Sequence, residues 1–132
     1  MNIVHTVDCI IRYKGGIVLI DRQKEPYGMA LPGGKLEENE TLEAAAEREA
    51  REETNLSLEN LTQFHTYSAP GRDPRFRAIS TVFTADGIGE LRAASDAKSV
   101  HVLLPAVIHA FRDKFAFDHG DILADYLSAE KK

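Results

Sequence analysis

The sequence predicts an α/β sandwich built around a mixed β-sheet. Several segments of strand length are rich in β-branched and aliphatic residues, and two or three others space their apolar residues as a helix does. No internal repeat, linker or low-complexity stretch separates these segments. At 132 residues the chain is long enough for one ordinary hydrophobic core and too short for two. We therefore expect residues 1–132 to form a single domain.

The first half of the chain predicts two strands, a glycine turn and a helix. Residues 5–13 and 16–22 are aliphatic runs joined by a hairpin or another short connection. A polar loop follows, and then a turn at residues 31–34, where two glycines permit a close approach of the backbone. Thr41 is a suitable N-cap for the helix, which we expect to end near Glu53.

The second half predicts three more strands and a closing helix. We expect strands at residues 58–67, 77–85 and 98–104, a turn at 86–89, and a helix at 118–129 capped by Asp118. Residues 105–115 fit either a helix or a loop, and periodicity does not separate the two.

Composition and charge exclude several classes of protein. The chain is 43% hydrophobic and 28% charged, and no segment approaches the roughly 18 uninterrupted apolar residues of a membrane span. A net charge of -5 argues against general binding of nucleic acid, which requires clustered positive charge. The first residues lack a basic segment and a small-residue cleavage site. We therefore expect no secretory signal, no nucleic-acid or membrane partner, and a cytoplasmic location.

Two glutamates of the predicted helix fall on the face that should be apolar. At about 100° per residue, Glu49 and Glu53 each lie about 20° from Leu42, inside the stripe expected to face the sheet. The alternative, a solvated Glu- and Arg-rich helix, predicts its charges opposite that stripe. Because unpaired buried carboxylates are costly, we expect a cation to meet them. Mg²⁺ fits, since it takes oxygen ligands and is usually held by a few carboxylates plus substrate phosphate.

The segment from Gly34 to Leu56 resembles the Nudix box. After Gly34 come five residues, Glu40, seven residues, the run Arg48-Glu49-Ala50-Arg51-Glu52-Glu53, one residue, Asn55 and Leu56. Every charged position of the box is filled at its required spacing. Ala50 replaces a larger aliphatic residue and Asn55 replaces the usual glycine, but neither departure removes a metal ligand.

The resemblance implies a Nudix-type α/β/α sandwich and a hydrolase that cuts diphosphate linkages with Mg²⁺ or Mn²⁺. By analogy Glu49, Glu52 and Glu53 are metal ligands and catalytic groups, and the carbonyl of Gly34 completes the set. Arg48 is expected to position a carboxylate through an ion pair, with Glu52 or Glu40 as its partner. The general base is left open between one of the helix glutamates and a residue outside the helix, either Asp96 or Glu90.

The loop after the predicted helix resembles the corresponding loop of Nudix ADP-ribose pyrophosphatases. It runs from Tyr67 to Arg75, and its arginines can bind phosphate or ribose oxygens with planar geometry. We expect substrate-binding roles for Arg72, Arg75, Arg77 and Tyr67, with Tyr67 or Phe76 stacking on adenine. The alternative is a rigid proline loop in which Asp73 pairs with a neighbouring arginine. His119 is expected to cap or pack near the last helix rather than bind metal.

These residues favour hydrolysis of ADP-ribose to AMP and ribose 5-phosphate, with a nucleoside diphosphate-linked small molecule as the only partner. The runner-up is a nucleoside triphosphate pyrophosphatase that removes damaged nucleotides and releases diphosphate. A non-catalytic nucleotide sensor is the third hypothesis, although sensors of this kind usually lose glutamates of the box. The resemblance also suggests a homodimer, because related hydrolases often complete the pocket across subunits.

Overall fold

The computed structural model describes residues 2–94 and 99–130, and its core is a seven-stranded mixed sheet. The strands are β1 (Val4–Tyr13), β2 (Gly16–Asp21), β3 (Met29–Ala30), β4 (Gly33–Lys35), β5 (Ser57–Tyr67), β6 (Ala78–Ile88) and β7 (Val100–Leu103). The helices are α1 (Leu42–Thr54), α2 (Pro105–Ala110) and α3 (His119–Glu130), with a single 3-10 turn at Arg112–Lys114.

The strand order explains why the sheet is mixed. The main path runs β3-β2-β1-β6-β5, while β4 pairs with β1 and β7 pairs with β2. Only the central pair, β1 with β6, is parallel, and it runs from Val4 opposite Ala78 to Arg12 opposite Asp86. The other strand pairs are antiparallel. This arrangement confirms the predicted mixed sheet.

Alternation along β1 divides the core into two apolar layers. Val7, Cys9 and Ile11 face α1, where they pack against its small residues Ala45, Ala46 and Ala50. Ile10 faces the opposite side and packs against Ile122, Leu123, Tyr126 and Leu127 of α3. Successive side chains of a strand point to opposite faces, so one buried strand serves both layers. The helices therefore cover both faces of the sheet, as the predicted α/β/α sandwich requires.

Local capping chemistry sets the ends of α1. The hydroxyl of Thr41 accepts a hydrogen bond from the N–H of Ala44 at 3.0 Å. At the other end Asn55 is left-handed with φ 68°, and its N–H donates to the carbonyl of Arg51. Because α1 ends in this way, the glutamates of its last two turns are held over the edge of the sheet.

Four expectations from the sequence need correction or completion. Gly33–Lys35 is a strand rather than part of a turn, because it pairs with β1. Residues 86–88 extend β6, and the chain turns at Gly89. The ambiguous segment after residue 104 contains α2, which begins at Pro105. Asp118 precedes α3, but its carboxylate holds Arg72 instead of capping the helix.

Within the described ranges, no helix is both long enough and apolar enough to cross a membrane.

Candidate active site

The carboxylates of α1 divide between the cleft and solvent. The side chain of Glu49 is only 13% exposed, whereas that of Glu52 is 58% exposed. Glu53 is half-buried at the foot of the helix. The helical wheel placed Glu49 and Glu53 on the buried face, and the structure confirms that placement. Glu52 lies near the rim, where it touches Arg48 at 3.5 Å.

Glu53 is tied to the backbone of β4. Its Oε1 atom accepts a hydrogen bond from the N–H of Gly33 at 2.7 Å. Gly33 is paired in the sheet with Asp8, a second buried carboxylate. Burial raises the pKa of Glu53 to about 8, and repulsion from Glu49 and Asp8 adds to the rise, while the Gly33 N–H opposes it. Glu53 is therefore an acidic group whose charge is unfavourable unless a cation joins it.

Glu49 lies against the second glycine of β4. A Cβ atom on Gly34 would stand 2.5 Å from Oε1 of Glu49 and 2.6 Å from its carboxyl carbon, so only glycine leaves room for this carboxylate. Burial raises the pKa of Glu49, although its ion pair with Arg48 works in the opposite direction. The two glycines therefore serve the two carboxylates in different ways, one as a donor and one as a space.

Arg48 connects the helix to the segment before it. Its Nε and Nη2 atoms donate to the two oxygens of Glu40 at 2.7 and 3.0 Å, and Nη2 also reaches the carbonyl of Lys35 at 3.0 Å. Nη1 donates to Glu49 at 2.7 Å. Four acidic side chains surround the guanidinium, since Glu37 and Glu52 also lie within ion-pair distance. Arg48 is thus in position to orient Glu49, and its main partner is Glu40.

The residues of this cluster fit a hard divalent cation. All the available side-chain donors are carboxylate oxygens, and burial disfavours the charge of the two inner ones. Within residues 2–94 and 99–130, no three acidic, histidine or cysteine side chains are already gathered as a complete metal site. Glu52 becomes a third ligand only if its exposed side chain rotates towards Glu49 and Glu53.

A narrow cleft of about 70 Å³ opens beside Glu53. The opposite wall of the cleft is basic and aromatic, and its lining side chains include Arg22, Arg72, Arg75, Phe117 and His119. Asp8 and Gly34 lie at the acidic end, with Glu53. The sheet thus brings an acidic group and a basic group to the two sides of one small opening.

The predicted substrate-binding residues reach different places. Arg72 lines the cleft, but it is 4% exposed and its planar fork binds both oxygens of Asp118 at 2.9 and 2.7 Å. Arg75 lines the cleft with its side chain 42% exposed, and it also binds Asp73. The alternative reading, in which Asp73 pairs with a neighbouring arginine, is therefore present in the structure.

The structure does not bring Tyr67 or Arg77 to the lining of the cleft. The hydroxyl of Tyr67 donates to Asp125 of α3 at 2.8 Å, and burial together with this bond raises the pKa of Tyr67. Arg77 lies beside the start of β6, where Nη1 reaches the carbonyl of Ala78 at 3.5 Å. Phe76 contacts the cations of Lys35 and Arg75.

Sequence reasoning missed Asp8 and Arg22 as members of the site. Asp8 is a single carboxylate inside an apolar strand, where it is 7% exposed and bonded by Ser80 at 2.5 Å, and that isolation was the available signal. Arg22 follows β2 and carried no local signal. His119 packs as predicted, at 3% exposure, with Nδ1 accepting the N–H of Leu31 at 3.0 Å.

The two proposed outside bases have different outcomes. Glu90 is exposed and its carbonyl accepts a bond from the side chain of Asn55 at 2.8 Å, away from the cleft lining. Asp96 lies outside the described residues.

A larger opening of about 620 Å³ lies between the β1–β2 turn, α2 and the end of α3. Its lining is mostly apolar, with residues such as Ile17, Pro105 and Leu127, and it contains none of the clustered carboxylates. Size alone therefore does not make it the reaction site.

Comparison with known proteins identifies the family to which this arrangement belongs. The model of the NUDIX domain matches residues 3–126. The chain belongs to the Nudix family. An ADP-ribose pyrophosphatase from Methanocaldococcus jannaschii is 43% identical over 128 residues, covering 92% of this chain and 71% of the relative.

Two solved Nudix structures share the fold. A MutT/nudix family protein from Enterococcus faecalis is 29% identical with a TM-score of 0.80, over 93% of this chain and 60% of that protein. A bifunctional NMN adenylyltransferase/ADP-ribose pyrophosphatase from Francisella tularensis, in complex with AMP and a manganese ion, is 29% identical with a TM-score of 0.84. That match covers 97% of this chain and 42% of the bifunctional protein. The Nudix chain thus spans less than two thirds of either solved protein.

Proposed function

We propose that this Nudix hydrolase cleaves the diphosphate linkage of ADP-ribose to give AMP and ribose 5-phosphate. The observation that carries the proposal is the 43% identity to an ADP-ribose pyrophosphatase over 92% of the chain. The cleft supports the same chemistry, because acidic and basic side chains face each other across a narrow opening. A diphosphate bound to a cation needs both kinds of group.

We propose Mg²⁺ or Mn²⁺ as the cofactor, held by Glu49 and Glu53 with Glu52 rotated inward. The manganese ion in the Francisella tularensis structure supports a divalent metal. When bound, the metal neutralises charge on the diphosphate and makes a bound water more acidic. The carbonyl of Gly34 is a further proposed ligand, since Gly34 lies directly against Glu49.

The side chains of this Nudix chain have distinct roles in the proposal. Arg48 orients Glu49 while Glu40 holds the other edge of its guanidinium. Gly33 fixes Oε1 of Glu53, which leaves Oε2 to face the cleft or hold a proton. The raised pKa of Glu53 favours proton exchange near neutral pH, so Glu53 is our preferred choice among the helix glutamates for handling the proton of water.

A homodimer is a proposal that rests on the family resemblance alone. Light scattering coupled to gel filtration would measure the mass in solution, for comparison with the 14.6 kDa of one chain.

The proposed reaction is tested by product analysis across a panel of substrates. Purified protein is incubated with ADP-ribose, other nucleoside diphosphate-linked compounds and nucleoside triphosphates, each with Mg²⁺ or Mn²⁺, and the products are separated by chromatography. We expect AMP and ribose 5-phosphate in equal amounts, with ADP-ribose preferred. Release of diphosphate from triphosphates, with ADP-ribose untouched, would instead support the triphosphate pyrophosphatase. Nucleotide binding without turnover of any compound would support the sensor.

A further inference from the structure

The basic wall of the cleft contains two arginines held on one aromatic ring. The guanidinium carbon of Arg22 lies 4.7 Å from the centroid of Phe117, and that of Arg75 lies 5.2 Å from the same centroid. We call Arg22, Arg75 and Phe117 the arginine clamp. Cation–π contacts of this kind hold a guanidinium in place while its N–H edge stays available to a ligand.

The positions of these two charges are unfavourable without an anion. Burial lowers the pKa of Arg22, and the neighbouring charge of Arg75 lowers it further. Asp73 offsets part of this repulsion, but it is already bound to Arg75. Like charges gathered at the side of a cleft indicate a ligand of the opposite sign, by the same reasoning that assigns a cation to the carboxylates.

The hydrogen bonds of Arg22 leave its charge available. Nε donates to the carbonyl of Pro26 at 2.6 Å and Nη2 to that of Glu25 at 3.3 Å, and both acceptors are neutral. In the part of the chain that the structure describes, no carboxylate lies within ion-pair distance of Arg22. An arginine has five N–H donors. The two bonds therefore fix the orientation of the guanidinium and leave Nη1 for a ligand.

The backbone at Phe117 supports the same reading. Its φ of 55° is left-handed, which is uncommon for a bulky residue and is held by neighbouring contacts. The next residue, Asp118, binds Arg72 with two hydrogen bonds, so both sides of this turn are committed to arginines of the cleft. The sequence of the turn thus fixes the ring on which Arg22 and Arg75 lie.

We propose that the arginine clamp binds the substrate phosphate that faces away from the carboxylates of α1, with Arg22 as its specificity-determining residue. The proposal rests on the proposed function, because it assigns one end of a diphosphate to Glu49 and Glu53 and the other to Arg22 and Arg75. A diphosphate is the smallest anion that reaches both ends of the cleft. The clamp therefore favours nucleoside diphosphate compounds over monophosphates.

The test compares Arg22→Gln and Arg22→Lys with Arg112→Gln. Arg112 is an exposed arginine bound to Asp121 outside the cleft, so it is a matched control. Binding of ADP and of AMP to each protein is measured by calorimetry in saturating Mn²⁺, and KM and kcat for ADP-ribose are measured in parallel. Melting temperatures and Mn²⁺ affinity without nucleotide report on the fold and on the acidic end.

We expect Arg22→Gln to weaken ADP binding and raise KM by roughly 10- to 100-fold, the loss expected for charge-assisted hydrogen bonds. AMP binding should change less, kcat should stay within about threefold, and Mn²⁺ affinity should be unchanged, because the metal end is intact. Arg22→Lys should recover part of the affinity, since it keeps the charge but loses the planar contact with Phe117.

Three results would overturn the clamp. The first is ADP affinity for Arg22→Gln within twofold of the wild type, and the second is an equal loss for Arg112→Gln. The third is wild-type protein that binds AMP as tightly as ADP. If Arg22→Gln does not fold, the same criteria apply to Arg22→Lys. Binding of ADP is read without turnover, so a wild type that binds ADP through Arg22 but fails to cleave ADP-ribose contradicts the proposed function and leaves the clamp supported.

Discussion

Arg48 and Arg22 are both partly buried arginines of the active-site region, but their surroundings differ. Arg48 is surrounded by acidic side chains and by the carbonyl of Lys35, so its charge is compensated within the protein. Arg22 donates only to neutral carbonyls and lies next to another arginine. The difference teaches that the partners of an arginine, rather than its burial, distinguish a residue that positions other side chains from one that binds substrate.

The carboxylates divide in the same way. Glu40 is a compensated anion whose pKa is lowered by Arg48, whereas the pKa of Glu53 is raised to about 8 by burial and by neighbouring acids. Uncompensated anions at one end of the cleft and an uncompensated cation at the other predict a ligand that carries both a metal ion and phosphate. The predictions below test this contrast.

The largest effect is expected for Glu53→Gln. The amide keeps the size of the side chain but removes the charge proposed to hold the metal, so kcat should fall by roughly 10²- to 10³-fold. Glu47→Gln, an exposed glutamate of the same helix, should stay within about twofold of the wild type. Steady-state turnover of ADP-ribose measures both variants. Equal turnover in Glu53→Gln and wild type would remove the chemistry from this helix.

The two glycines of β4 provide a sharper separation of fold from activity. A Cβ on Gly33 would lie 2.1 Å from the carbonyl of Val7, so Gly33→Ala should lower the free energy of unfolding by about 3 kcal/mol or more. A Cβ on Gly34 meets only the carboxylate of Glu49, which can move. Gly34→Ala should therefore cost about 1 kcal/mol or less but reduce turnover roughly tenfold. Urea unfolding and turnover, measured on both variants, would contradict this if Gly34→Ala kept full activity.

Metal-free protein should lose stability as pH rises. The pKa of Glu53 is about 8 when folded against an ordinary value of 4.5, so between these values the folded state holds a proton that the unfolded state has released. The free energy of unfolding should then fall with increasing pH, by at most about 1.4 kcal/mol per unit. Urea unfolding from pH 5 to 8.5 measures the slope, and Glu53→Gln should flatten it. Stability that rises through this window, in wild type but not in the variant, would contradict the assignment.

The smallest effect is expected for Tyr67→Phe. The hydroxyl of Tyr67 binds Asp125 away from the cleft, so its loss should change KM for ADP-ribose by less than about twofold. A tenfold rise in KM would show that Tyr67 reaches substrate after all, as the sequence resemblance suggested.

Features encoded by neighbouring residues could be predicted from the sequence. The cap at Thr41, the left-handed Asn55 and the misplaced Glu49 and Glu53 all depend on spacing within one helix, and the structure has each of them. The apolar stripe of α1 was equally readable, because its period follows from helix geometry.

The other half of the cleft could not be predicted, because non-local pairing assembles it. His119 meets Leu31 across 88 positions of sequence, and Arg22 reaches Phe117 only after α3 has packed on the sheet. Gly33 and Gly34 were taken as a turn because the partner of β4 is a distant strand. The loop arginines were identified by type, but spacing did not reveal that the fork of Arg72 is occupied by Asp118.

The most direct test of the central claim is a calorimetric titration of Mn²⁺ near pH 8, with and without AMP, on wild type and Glu53→Gln. The account predicts uptake by the wild type, release of protons as metal displaces them from the Glu49 and Glu53 pair, and at least tenfold weaker binding by Glu53→Gln. Absence of Mn²⁺ uptake by the wild type, even with AMP present, would contradict the claim that these carboxylates hold a metal.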